Sequence, residues 1–564
     1  MIRQVRARLT GTALQVPGLS TLTGNRPATQ DTRPPAGAHA PPTGPHPGTS
    51  PRRHRRTALT GRLATRLTPR SASAAALTAI LALAALLRFW DLNATGFNSD
   101  EAVYTGTAAS LAGDPTLQQF FPVFRAHPLL LATFLSGLLG HGVDDQSARA
   151  VTAAIGVVCV ALTYALAGRL YGRATASVAA LLLAVMPYHV VVSRQVLLDG
   201  LLTLCATGAL YCVVRYTESE RAEWLIAAGA ALGATVLAKE TGAIFLGSLY
   251  GFFALTRGVP VRPRHLLGGL TAMAAVYLAF PLATTLAGHH ATGQNYLLWQ
   301  LFRRANHSLW FYATTLPVVI GWGVLAAGVA GLVWLRHRAT WREPLLLWWI
   351  AVPLLFFTAW PVKGYPYLLP LAPPLAVLAG RTVAAVAGLR LPVPRLAPAA
   401  AVLLSLGLAA SLAVPAAGRI DPAPTGTRLA GAGGLPGGRE AGHWVRGHVP
   451  QGARLLAAGP SLANVLQFYG HRQVSALSVT GGSRQHNPAY VPVRNPDRAL
   501  REGLFQYVVW DSYTAARSPF YGAQARDLAA RYHGIALYTR VERVRTGSGR
   551  ADRETIVIYR VRAS

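Results

Sequence analysis

The chain has 564 residues, of which 52% are hydrophobic and 13% charged, and its mean hydropathy is +0.32. An ordinary soluble domain carries about 25% charged residues, so a water-soluble protein is excluded at once. The formal net charge of +31 would suit a nucleic-acid binder, but apolar runs of about 18 residues or more read as bilayer spans and decide the class first, so no nucleic-acid partner is expected.

Residues 1–73 hold much of the positive charge, with Arg52, Arg53, Arg55, Arg56, Arg62, Arg66 and Arg70 set among Pro, Thr, Gly and Ser. Such a segment cannot bury a core and is expected to be a disordered tail. It is too long and too weakly apolar for a cleaved signal peptide and reads as a retained cytoplasmic extension. Attraction to anionic membrane lipid is one role for it; a solvated tail that orients the first helix is the plainer one.

A transmembrane region is expected over 74–417, with about eleven spans, at 74–91, 149–168, 174–192, 196–215, 222–238, 241–256, 265–287, 311–335, 344–361, 365–387 and 396–417. The apolar piece from His127 to Gly140 is too short to cross and reads as re-entrant or interfacial. Short loops carry Arg169 and Arg173, then Arg257, Arg262 and Arg264, then Arg336, Arg338 and Arg342, then Arg390 and Arg395. The positive-inside rule places those loops in the cytoplasm. An odd number of spans then puts the C-terminal region outside, in a multi-pass protein of the plasma membrane. A Pro/Gly-rich linker at 418–438 leads into 439–564, where short apolar runs at 454–458, 473–479, 506–510, 535–541 and 555–561 alternate with helical stretches such as Tyr521 to Tyr532. That alternation predicts a small extracytoplasmic α/β domain. Asp511 stands where such sheets bind ligands, although a turn-capping role is the plainer reading. Cys159, Cys205 and Cys212 fall inside apolar spans without metal-ligand spacing and read as core residues.

With this topology the scarce charges gather on the outer face. The loop from Asp91 to Arg149 carries Asn98-Ser99-Asp100-Glu101-Ala102-Val103-Tyr104 and returns to the membrane through Arg125-Ala126-His127-Pro128-Leu129. Arg194 and Asp199 mark the next outer turn, Lys239 and Glu240 the one after, and Lys363 precedes Gly364-Tyr365. Lys239 and Lys363 are the only two lysines in the chain. Charges at membrane depth are costly and are functional candidates by default. Each also has a structural reading: Asp100 and Glu101 as helix caps, Arg194 and Asp199 as an ion pair, the lysines as interfacial anchors, His127 as a turn residue. Their convergence on one side favours a site.

A carboxylate in such a set can take a proton from an acceptor hydroxyl or amine, while several cations can stabilise a departing phosphate. A donor carried by a membrane lipid, a polyprenyl-phosphate sugar, would explain why this chemistry sits at a bilayer. A transporter or lipid flippase is the competing reading, although the inverted repeats and broken helices of transporters are not evident in the sequence. A catalytically silent scaffold for the C-terminal domain would leave Asp100 dispensable.

At these residues the chain resembles the dolichyl-phosphate-mannose protein mannosyltransferases and their bacterial relatives, including the lipid A aminoarabinose transferases, within the family 39 type C glycosyltransferases. The resemblance runs from Arg88 to Ala387. It rests on Asp-Glu-Ala-x-Tyr (Asp100 to Tyr104), His127 to Leu129, Ser-Arg-x4-Asp (Ser193 to Asp199), Gly-x3-Leu-x-Lys (Gly233 to Lys239) and Lys-x-Tyr-x-Tyr-Leu-x-Pro (Lys363 to Pro370). It implies a helical polytopic type C fold and an inverting, single-displacement transfer of a hexose or pentose from polyprenyl phosphate to an extracytoplasmic protein, glycan or lipid acceptor. Asp100 would then be the catalytic base, and Glu101 would organise the acceptor or a metal. Lys239, Arg194, Lys363 and His127 would bind the donor phosphate. Asp199 would orient Arg194, with Tyr104 and Tyr365 supporting the site. His127 stands where related enzymes often carry Lys or Arg, which opens metal or proton chemistry there, and a divalent ion held by Glu101 and His127 is left open. The eukaryotic mannosyltransferases insert a β-trefoil between membrane helices, whereas here a small α/β domain follows the last helix.

Overall fold

The computed structural model describes residues 69–123, 127–140, 142–286, 305–390, 392–393, 395–420, 436–479, 493–546 and 549–562. Nearly all of the basic tail, Arg125 and most of the linker lie outside the described residues. Leu67–Ser564 form one compact unit.

The chain enters the membrane region through helix α1 (Pro69–Phe89) and then forms two short helices, α2 (Ser99–Leu111) and α3 (Leu130–Leu139). There follow α4 (Asp145–Tyr171), α5 (Arg173–Val185), α6 (Pro187–Ser193), α7 (Leu198–Ser219), α8 (Ala222–Ala238), α9 (Ile244–Leu255) and α10 (Pro263–Leu286). Next come α11 (Phe311–Trp334), α12 (Arg342–Ala359), α13 (Ala372–Val386) behind a 3-10 segment at Tyr365–Leu371, and α14 (Leu396–Ile420). Helix is found at every expected span. Among the described residues, seven helices can cross a membrane by length and composition, or eight if α5 and α6 count as one. The expected spans at 174–192, 222–238, 241–256 and 265–287 are not among the seven, so the count of eleven exceeds what length and composition alone support.

The span expected at 174–192 is broken, with α5 and α6 bent by 59°. Met186 is extended (φ −64°, ψ 119°) and Pro187 opens α6. Proline has no N–H to continue the helix and disfavours helical geometry in the residue before it. The break frees carbonyls at the end of α5, and these must be satisfied inside the fold. Arg88, fully buried, supplies the donors: Nη1 donates to Ala184 O (2.9 Å) and to Ala84 O (3.0 Å), and Nη2 donates to Leu183 O (3.3 Å). The same Nη2 lies 2.8 Å from His189 Nδ1. Gly156 leaves the room, since a Cβ there would come within 2.5 Å of Ser193 Cβ and 3.1 Å of Arg88 Nε. Arg88→Met should therefore strand these acceptors, at about 1–3 kcal/mol for each buried group left unpaired. The loss is read as a lower thermal midpoint in detergent; an unchanged midpoint would remove Arg88 as the closure of the break.

The C-terminal domain has the expected α/β character. Helix α15 (Gly438–His448) leads to β1 (Arg454–Ala457), α16 (Pro460–Gly470), β2 (Gln473–Ala476), α17 (Pro496–Arg501), β3 (Tyr507–Asp511), α18 (Ser512–Arg517), α19 (Pro519–Arg531), β4 (Ile535–Thr546) and β5 (Gly549–Arg560). The sheet order is β2-β1-β3-β5-β4, with β1 parallel to β2 and β3, and β5 antiparallel to β3 and β4. Asp511 is the N-cap of α18 and accepts from Thr514 N–H at 2.6 Å. One apolar core runs from α2, α3 and the start of α4 into α15, α16 and the sheet, through Phe97, Phe121, Leu131, Val445, Leu466 and Phe468. The domain is thus packed directly onto the segment between α1 and α4.

Candidate active site

The local sequence fixes where Asp100 stands. Asn98 is extended (φ −79°, ψ 176°) and caps α2, its Oδ1 accepting from Asp100 N–H (2.9 Å) and Glu101 N–H (3.0 Å). Glu101 Oε2 returns the bond by accepting from Asn98 N–H at 3.0 Å, a capping box. The two adjacent carboxylates then diverge. Glu101 is 1% exposed and fully engaged: Arg149 Nε donates to Oε1 (2.7 Å), Arg149 Nη2 to Oε2 (2.8 Å), and Val196 N–H to Oε1 (3.1 Å). Arg149 in turn donates to Leu92 O, Thr95 O and Gly96 O at 2.6–3.1 Å. Such a two-pronged, charge-assisted pair fixes geometry as well as energy.

Asp100 makes no side-chain hydrogen bond or ion pair among the described residues. Its side chain is solvent-exposed, on a wall it shares with His127, Lys239 and Asp199. Burial pushes its carboxyl above the usual aspartate range, while the charges of His127 and Lys239 pull it back and those of Asp199 and Glu101 push it further up. Tyr513 of α18 also lies within the electrostatic reach of Asp100, so the C-terminal domain contributes to this wall.

Two acid–base pairs line the rest. His127 Nδ1 lies 3.1 and 3.0 Å from the two oxygens of Glu240, with the Tyr104 ring edge-on at 6.2 Å. Lys239 Nζ donates to Asp199 at 2.9 and 3.1 Å and sits 4.1 Å from the centre of the Tyr367 ring. Lys239 reaches this position because it is extended (φ −161°, ψ 133°) between the short helices α8 and α9. Lys363 is 3% exposed, and its Nζ donates to Trp360 O (2.8 Å) with no carboxylate beside it among the described residues. Asn306 holds the Lys363 backbone from both sides at 2.8 Å. Tyr365 packs edge-on against Tyr188 at 5.1 Å, and its carbonyl accepts the Tyr188 hydroxyl.

One expected pairing is corrected. Asp199 does not orient Arg194; it pairs with Lys239. Arg194 instead turns to the end of α1, donating to Leu87 O, Arg88 O, Trp90 O and Asp91 O at 2.5–3.3 Å. The negative end of a helix dipole is a natural seat for a guanidinium, so Arg194 is spent on architecture in this arrangement. The suggestion of Glu101 and His127 as metal ligands also meets occupied donors, since Arg149 and Glu240 already hold them. Among the described residues no group of three or more His, Cys, Asp or Glu is disposed to hold a metal ion.

Arg149 and Tyr367 were given no role from the sequence, and Glu240 was noted beside Lys239 without a role of its own. Arg149 sits at an outer helix end, and Glu240 adjoins a singled-out lysine, so both carried a signal. Tyr367 carried one too, as the second tyrosine of Lys-x-Tyr-x-Tyr.

Comparison with known proteins follows the same lines. Residues 126–283 match the family described as dolichyl-phosphate-mannose-protein mannosyltransferase. The matched stretch lies within the membrane region. An undecaprenyl phosphate-alpha-4-amino-4-deoxy-L-arabinose arabinosyl transferase from Pectobacterium carotovorum is 29% identical over 198 residues, 32% of this chain and 35% of that relative. The Yersinia pestis protein of the same name is 26% identical over 201 residues, 33% and 36% of the two chains. The chain thus matches about a third of the length of these relatives. The structure of ArnT from Cupriavidus metallidurans bound to undecaprenyl phosphate superposes with a TM-score of 0.59 at 18% identity, covering 86% of this chain and 97% of that one. The oligosaccharyltransferase AglB from Archaeoglobus fulgidus, in complex with an inhibitory peptide and a dolichol-phosphate, gives 0.55 at 14% identity, covering 86% and 74%. The fold is therefore the type C glycosyltransferase fold, carrying a small C-terminal α/β domain. The stretch matched to the family includes His127, Arg194, Asp199 and Lys239, whereas Asp100 and Lys363 lie outside it.

Proposed function

We propose that this protein is an integral-membrane glycosyltransferase that moves one hexose or pentose from a polyprenyl-phosphate donor to an acceptor at the extracytoplasmic face of the plasma membrane. One observation carries the reading: Asp100 is positioned by a capped helix and left unpaired among the described residues, while its neighbour Glu101 is wholly consumed by structure. The relatives' names and the lipid phosphates bound to structures of the same fold support the donor class.

In the proposed reaction the acceptor hydroxyl oxygen forms a bond to the anomeric carbon as the bond from that carbon to the phosphate oxygen breaks. The hydroxyl proton passes to Asp100, and the lipid phosphate leaves with the electron pair. Attack opposite the leaving group inverts the anomeric centre. Lys363 and Lys239 are the lysines we assign to the phosphate, and they differ in kind. Lys239 already has a carboxylate in Asp199, whereas Lys363 is a buried cation resting on a carbonyl. A hydrogen bond to a charged group contributes about 1.5–3 kcal/mol.

Lys363→Met is therefore expected to weaken undecaprenyl phosphate binding by about ten- to a hundredfold, measured by titration of the protein in nanodiscs. Lys239→Met should weaken it less and lower the thermal midpoint more, because it strands Asp199. Lipid-phosphate binding indifferent to both changes would sink the donor assignment. The broken span between α5 and α6 gives the transporter reading little support, since Arg88 fills the gap that an ion would use.

A further inference from the structure

The segment that leads into α2 is gripped by the C-terminal domain. A single hydroxyl, that of Tyr469 in α16, accepts from Phe97 N–H (2.9 Å) and donates to Asp145 Oδ2 (2.9 Å) at the start of α4. Arg439 of α15 pairs with the same carboxylate oxygen (2.6 Å) and donates to Asn93 O (2.9 Å) and Thr95 O (2.7 Å). In α16, Asn464 Nδ2 donates to Ser99 Oγ (3.0 Å), the residue next to Asp100, and both side chains are buried. Phe97 packs between Phe468 and Tyr469, with ring centres 5.1 and 6.0 Å away. The approach is as close as backbone allows. A Cβ on Gly96 would lie 2.8 Å from Arg439 Cβ, and behind this contact, inside the domain, one on Gly442 would lie 2.4 Å from Tyr469 Cβ, so α15 and α16 are themselves closely packed.

The grip is two-sided. Arg149 holds Leu92 O, Thr95 O and Gly96 O from the membrane helices, and Arg439 holds Asn93 O and Thr95 O from the domain. Thr95 O accepts from both guanidinium groups. A loop whose carbonyls are saturated from two bodies has its conformation over-determined, and a small displacement of a reacting group is costly to a rate.

We propose that the C-terminal domain is the positioning half of the candidate site, with Tyr469, Arg439 and Asn464 clamping residues 93–99 so that Asp100 is held at a fixed position against His127, Lys239 and Asp199. This rests on the reading of Asp100 as the base and assigns the domain a role in rate rather than in donor binding. The donor cations stand on other elements, Lys239 after α8 and Lys363 before α13, so the clamp and the phosphate site are separable.

The test uses the full-length chain in nanodiscs and the variant Tyr469→Phe, which keeps the ring and removes both hydrogen bonds. Asp100-dependent transfer of labelled sugar should fall by about ten- to a hundredfold, with undecaprenyl phosphate affinity unchanged. The acid limb of the pH profile should also move to lower pH. Asp100 faces Glu101 on its own helix, His127, Lys239, Asp199 and, from α18, Tyr513, and a loosened α2 admits water among these groups and relieves the burial that raises its carboxyl. Arg439→Lys, which keeps the ion pair but loses the fork onto the carbonyls, should shift both readouts in the same direction by less. It decides the matter if Tyr469→Phe does not fold. Wild-type transfer and an unmoved acid limb in either folded variant would overturn the proposal while leaving the transferase reading intact. A wild-type protein without Asp100-dependent transfer would take both down.

Discussion

Arg149→Met is expected to destabilise the folded protein by about 3–5 kcal/mol, the cost of stranding one partner of a buried ion pair. The side chains of Arg149 and Glu101 are 5% and 1% exposed, so water cannot replace the lost partner. The guanidinium also ties three loop carbonyls to the head of α4, and those acceptors are stranded with it. The measurement is the thermal midpoint of purified protein in detergent, compared with the double variant Arg149→Met/Glu101→Leu. Because replacing both partners by apolar groups is often near neutral, the double variant should recover much of the ion-pair loss and little of the carbonyl loss. A single variant as stable as the wild type would show that the pair is not what seats α2.

Asp100→Asn should lower sugar transfer by about a hundredfold to ten-thousandfold, the range over which a positioned general base acts, while undecaprenyl phosphate affinity and thermal midpoint stay near wild type. The substitution preserves shape and the capping of α2, because Asn98 bonds the Asp100 backbone and not its side chain. Sign follows from the environment. Burial raises the Asp100 carboxyl above its ordinary value of 3.8, and a base works only when deprotonated. Transfer should therefore fade as pH drops through a limb lying above the usual aspartate range. His127 lowers that value by its charge, so His127→Ala should move the limb further up. A limb at the ordinary aspartate position, or one indifferent to His127, would contradict this picture of the site.

The apolar runs and the C-terminal alternation were legible because both are local properties of the sequence. A span announces itself by length and hydropathy, and strands β1 to β5 by short apolar runs between turns and helical stretches. Asp100 was legible for a related reason: once topology fixes which loops face outward, a carboxylate beside the first helix has few roles. Partners were not legible, since pairing is a tertiary matter. Asp199 is near Arg194 in sequence but meets Lys239 from α8 in space. Two features did carry a local signal. Asn98 followed three residues later by Glu101 is the pattern of a capping box, and it separates the structural acid from the exposed one. Met186-Pro187 inside an apolar run is the pattern of a broken helix. The docking of α15 and α16 onto residues 93–99 had no such signal, because a small domain's packed face looks like any other amphipathic surface.

The measurement that bears most directly on the account follows radiolabel from polyprenyl-phosphate sugars, mannose first and then pentose donors, into the protein, glycan and lipid fractions of a cell-envelope extract, using wild type and Asp100→Asn in nanodiscs. The account predicts label in one acceptor fraction with the wild type, inverted at the anomeric carbon, and at most a hundredth of it with the variant. Equal labelling by both proteins, or retention of the donor's anomeric configuration, would contradict a single displacement driven by Asp100.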